Sequence, residues 1–266
     1  MNWIEIAWIV MSATSLTLGA IHLFVWVKHK SQHAHLLFFA LAISATAFGI
    51  FELAMMQAPS AATYAATLRW AHVPLALLVL SIVWFVRFHF NAGRLWLAWA
   101  TCGFRLLGLA LNFVTGVNVN FREVSSLERL TLWGDAVVVG PVGSANAWAI
   151  VPQIGNLLMM AFVIDASVAL WRRGGADARR RAAVVGGGVA VCVAAAAGFA
   201  ALTTLGWVHA PTIVMPGVFM IVLAMGYELG WDLIAGRDSL WWGPGYHGAI
   251  LLTNNAGPFT VTSPPR

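Results

Sequence analysis

Seven runs of apolar residues, each about twenty long and joined by mostly short polar connections, constrain this chain more than any other feature. They fall at about 3–27, 34–57, 70–87, 95–115, 148–171, 183–206 and 212–234. In lipid a chain must satisfy its own backbone N–H and C=O groups, so runs of this length predict helices. The expected fold is an all-α membrane protein, a seven-transmembrane helix bundle over 1–235 followed by an irregular tail over 236–266. Composition agrees: 60% of residues are hydrophobic and 9% charged, against about 25% charged in a soluble domain.

The connections alternate in charge. One set carries Lys28, Lys30, Arg87, Arg94, Arg172, Arg173, Arg179, Arg180, Arg181 and Arg237; the other carries only Arg69, Arg122 and Arg129. The positive-inside rule makes the first set cytoplasmic, with the N-terminus outside and the C-terminus inside an inner membrane. Tryptophans fit that placement. Trp3, Trp8, Trp70, Trp148 and Trp207 fall near outer ends, and Trp26, Trp84, Trp96, Trp171 and Trp231 near inner ends, as an aromatic belt would have them. The net charge of +5 comes from these loop clusters and calls for no nucleic-acid partner. Cys102 and Cys192 lie in apolar runs and read as free thiols. The opening MNWIEIAW has no basic n-region, so no removable signal peptide is expected.

One connection, 116–147, is long. Within it LTLW and AVVV flank Gly134-Asp135, which predicts a small β-hairpin over the outer face, a lid or an ordered plug. The glycines of VVGGGVAVCVAAAAGFAAL in the sixth run predict close helix packing.

Ionisable residues at membrane depth are costly and mark sites. Arg105, mid-way along the fourth run, should point inward to a partner; Glu52 is the first candidate and Asp165 the second. Glu52, Arg69 and Arg105 are together the expected ligand-binding residues. Glu228 and Asp232, four apart near the inner end of the last run, share a helix face and are expected to couple that helix to the basic loop 172–181. His22, His35 and His89 toward the inner side, and His72 and His209 toward the outer, raise bis-histidine haem. No helix carries paired histidines, however, and no metal, cofactor or catalytic motif stands out. The last run has no lysine for a retinal Schiff base.

Three stretches carry a resemblance. They are FELAMMQAPSAATYAATLRWAHVPLALLVLSIVWFVRFHF, then LNFVTGVNVNFREVSSL, then FVIDASVALWRRGGADARRRAAVVGGG leading to IVLAMGYELGWDL. Together they are similar to the N-terminal seven-helix membrane sensor region of bacterial sensor histidine kinases, the kind followed by PAS and kinase domains. The resemblance covers about residues 1–235. It implies that the segment around Glu228 is the inner end of the last span, continuing into signalling domains, and that the protein signals as a homodimer. After Asp232 the pattern breaks: AGRDSLWWGPGYHGAILLTNNAGPFTVTSPPR has recurring glycine and proline and no phosphoacceptor or nucleotide-binding segment. The expectation is a non-catalytic sensor that binds a small lipophilic signal in the outer half of the bundle, among membrane lipids, and transmits it through the last helix. The alternative is a structural subunit of a larger membrane complex, docking through the aromatic tail with Trp241, Trp242, Tyr246 and Phe259.

Overall fold

The computed structural model describes residues 3–132, 136–204 and 213–234. Among them are seven helices long and apolar enough to cross a membrane. They are α1 (Trp3–Lys28), α2 (His33–Met56), α3 (Ala61–Phe90), α4 (Leu95–Val114), α5 (Ile150–Arg172), a sixth span, and α8 (Met215–Ile234). The sixth span is composite: α6 (Ala176–Arg181), a π-helical turn (Ala182–Gly187) and α7 (Gly188–Thr204). The chain divides into two compact units, 1–229 and 230–266. Of the second, only the end of α8 lies among the described residues, so the tail invoked for docking lies outside them.

Helix α3 starts well before its apolar run. Ser60 adopts an extended conformation and its hydroxyl accepts the Thr63 N–H at 3.2 Å. That cap lets the small, polar stretch AATYAATLR form turns ahead of the hydrophobic segment. At the other end Asn91 takes the left-handed conformation with φ 47°. Arg173 donates to the Phe90 and Asn91 carbonyls at 3.0 and 2.6 Å, occupying carbonyls that the helix end leaves open.

Phe38, Leu41, Ile82, Phe85, Phe162, Val163, Val185 and Val222 are fully or almost fully buried in one core shared by α2, α3, α5, the sixth span and α8. The π-helical turn sits against α5 where Gly186 faces Ser167, and a methyl group at Gly186 would collide with the Ser167 hydroxyl. The expected close packing at the glycine run is therefore real at Gly186, whereas Gly187 and Gly198 face open space.

Two strands, β1 (Phe121–Leu132) and β2 (Ala136–Ala145), pair antiparallel with Leu130 opposite Val138 and Glu128 opposite Gly140. They extend well beyond LTLW and AVVV; the Gly134-Asp135 turn lies outside the described residues. Val138 packs with Ile4, Trp8, Met56 and Met215, and Val139, Leu127 and Phe121 pack near Tyr64 and Leu68. The strands thus cover the end of the bundle where α1, α3 and α8 begin and α2 finishes.

Asparagines anchor that cover. Asn118, fully buried, accepts the Asn120 and Phe121 N–H groups through Oδ1 at 3.0 and 2.8 Å. Asn112 accepts the Val119 N–H at 3.1 Å and donates to the Arg69 carbonyl at 2.8 Å. Asn146 donates to the Asn118 carbonyl at 2.9 Å.

Candidate functional site

Arg105 projects from the middle of α4 and is 6% exposed. It lines a cavity of about 130 Å³ whose walls come from α3, α4, α5, α7 and α8. Leu78 and Ile82, Met159, Val193, and Val218 and Ile221 make those walls apolar, and Asn156 is the second polar residue there. Asn156 Nδ2 turns toward Gln153 Oε1 at 3.3 Å. No carboxylate among the described residues comes within ion-pair distance of the Arg105 guanidinium, and none of them hydrogen-bonds to it. A buried charge normally demands a partner, because removing it from water costs several kcal/mol.

The expected Arg105–Glu52 pair does not form. Glu52 is fully buried, and its carboxylate accepts three hydrogen bonds: from the Trp8 indole at 2.8 Å, from the Met215 N–H at 2.9 Å, and from the Val214 N–H. Met215 opens α8, so Glu52 sits on the N-terminal end of that helix, where orphan N–H groups and the helix dipole favour an anion. A carboxylate so occupied is already satisfied. Asp165, the second candidate, accepts the Arg94 N–H at 2.9 Å and approaches Arg94 Nε at 3.6 Å. Arg69 donates to the Gly116 carbonyl at 2.7 Å, which holds the chain leading into the strands. Of the three residues expected in one pocket, then, Arg105 lines the cavity, Glu52 clamps α1 and α2 to α8, and Arg69 anchors the loop.

Trp8 corrects a second expectation. Its place in the lipid-facing belt gives way to burial at 3% exposure and the bond to Glu52. Of the other tryptophans assigned to the belt, Trp3, Trp70, Trp96, Trp148, Trp171 and Trp231 are exposed, Trp26 and Trp84 are half-buried, and Trp207 lies outside the described residues. Spacing did hold a signal for Trp8: it stands four residues before Ser12 and seven before Ser15, both buried, on the inward stripe of α1.

At the other end of α8, Glu228 is fully buried and receives Arg180 Nη2 at 2.9 Å, while the Arg180 guanidinium lies 6.0 Å from the Tyr227 ring. Glu228 therefore does reach the basic segment of the sixth span. Asp232, one turn further on, is buried.

Of the histidines considered for haem, His22 and His35 face each other. Their Nδ1 atoms are 2.8 Å apart and their rings stack at 5.0 Å. Nitrogens this close bond each other and leave no room for an iron between them. His72 Nδ1 donates to the Leu68 carbonyl of its own helix at 2.8 Å, His89 stacks on Phe85 at 5.1 Å, and His209 lies outside the described residues. Among the described residues no group of three or more His, Cys, Asp or Glu side chains is placed to hold a metal.

A family model described as capsule assembly protein Wzi matches residues 224–263. The match starts within α8 beyond Ile221, the last residue lining the cavity, and covers a small part of the chain. No curated protein and no solved structure matches the chain.

Proposed function

We propose that this chain is a non-catalytic sensor module of the inner membrane, with its N-terminus outside and its C-terminus cytoplasmic. In this reading a small lipophilic signal occupies the Arg105 cavity and α8 carries the response inward. The observation behind it is that a buried guanidinium, unpaired among the described residues, and one face of α8 line the same apolar space.

Helix α8 is held at both ends by buried carboxylates. Glu52 holds its first turn through Val214 and Met215, and Glu228 ties its far part to Arg180. Val214 belongs both to the Glu52 clamp and to the cavity wall. A ligand that wedges against Val214, Val218 and Ile221 would favour a second position of α8 only if it binds that position better, and the coupling energy equals that difference. The resemblance to seven-helix sensor regions supports the same direction of transmission. A homodimer is the expected assembly on the same grounds.

Gentle-detergent extraction from native membranes, with mass spectrometry of everything retained, tests this reading. One small bound molecule on an otherwise lone protein, or on its homodimer, is the expected result. A stoichiometric set of other membrane subunits would overturn it and make the chain a structural component of a larger complex.

A further inference from the structure

The sensor reading leaves the chemistry of the signal open, and the cavity narrows it. We infer that the Arg105 cavity takes a small amphipathic monocarboxylate, its carboxylate on the guanidinium and its hydrocarbon part among Leu78, Ile82, Met159, Val218 and Ile221. The ligand's role as a signal rests on the sensor reading; its binding does not.

Arg105 is buried, and its guanidinium has no hydrogen bond or ion pair with any described residue. Arginine stays protonated in proteins, so the charge cannot be shed cheaply and an anion is the natural complement. One guanidinium neutralises one negative charge, which favours a monoanion over a phosphate dianion that would leave net charge in an apolar space. The planar fork of Arg105 matches a carboxylate with two parallel bonds.

Depth excludes a lipid headgroup. Arg105 lies near the midpoint of α4, Leu95–Val114, and so near the middle of a span. A phospholipid headgroup is confined to the interface, about 15 Å from the bilayer centre. The partner must therefore be a molecule small enough to enter whole.

Volume limits the hydrocarbon part. About 130 Å³ is close to the size of an engineered apolar cavity of about 150 Å³ that binds benzene. A tail of roughly five to seven carbons fits such a space. Chloride would satisfy the charge and leave the walls bare; a neutral hydrocarbon would fill the walls and leave the charge unpaired.

Hexanoate is the probe of choice, because it is short enough to partition weakly into detergent micelles. Its equilibrium binding to the purified full chain should be saturable. The neutral alcohol 1-hexanol, with the same carbon count, should bind about tenfold or more weaker, and Arg105→Gln should weaken hexanoate by about ten- to a hundredfold. Arg105→Lys should recover part of that loss. Ala196→Leu, which fills the cavity wall and leaves Arg105 in place, should abolish binding in a protein that unfolds at a temperature near wild type. The site is overturned if hexanoate and hexanol bind alike, if Arg105→Gln changes nothing in a folded protein, or if only chloride shows the Arg105 dependence.

Spin labels at the exposed positions Leu157 on α5 and Met220 on α8 separate this from the sensor reading. Arg105-dependent binding with no change in the label distance sustains the carboxylate site and overturns the sensor. A distance change driven by a different extracted molecule, with no hexanoate binding, overturns the site and keeps the sensor.

Discussion

Among single residues, two buried ionisable groups have opposite fates. Glu52 collects three donors from two chain segments, α1 and the start of α8, while Arg105 has no bonding partner among the described residues. Glu52→Gln halves the acceptor capacity and turns an amide NH₂ toward N–H donors. It should cost about 2–4 kcal/mol, from bonds to a charged group worth about 1.5–3 kcal/mol each. Trp8→Phe removes one of the three bonds and should cost less, about 1–2 kcal/mol. Denaturant titration in detergent, read by far-UV circular dichroism, checks the order; equal losses would mean that the indole bond carries most of the clamp. That Glu52 would be buried was legible from its place in an apolar run. Its partners were not, because two of the three are backbone N–H groups and any residue could have supplied them.

Among the elements, the least regular pieces are held by side chains rather than by propensity. The strand pair rests on Asn112, Asn118 and Asn146, whose amides hold the connection that leads into it. Asn118→Ala takes the acceptor from two partly buried N–H groups and should cost about 1–3 kcal/mol. Hydrogen exchange at Asn120 and Phe121 should accelerate, while α2 and α3 exchange as before; uniform acceleration across the protein would show that the strands are not a separate unit. The π-helical turn is a different case. Gly186→Ala places a methyl group against Ser167, and the shift needed to fit it should cost about 1–3 kcal/mol, with recovery in the Gly186→Ala, Ser167→Gly double variant. The glycine run in the sequence foretold close packing. It could not say which glycine touches, because that depends on the rotation of the sixth span about its axis, and the π-helical turn changes that rotation.

Across the molecule as a whole, the arrangement of charge predicts a direction. The basic cluster Arg172–Arg181 and the strand pair occupy opposite ends of α5. In the proposed orientation, N-terminus outside, a reporter that folds only in the cytoplasm should be active when inserted after Gly174, where the chain is open to space, and silent when inserted near the exposed Ser125. The reverse pattern would invert the topology and with it the direction of any signal.

Seven segments able to span a membrane, the position of the long connection, and the few charges at depth could all be read from the chain without its fold. They follow from the cost of placing polar groups in hydrocarbon, which depends only on local composition. Which charge meets which partner emerged only once the helices were packed. Glu52 went to Trp8 and the start of α8, Asp165 to Arg94, Glu228 to Arg180, and Arg105 to an apolar cavity. Pairing is governed by helix rotation and depth to within an ångström or two, and in most of these helices the outward and core-facing sides are too alike in hydrophobicity for spacing to fix both.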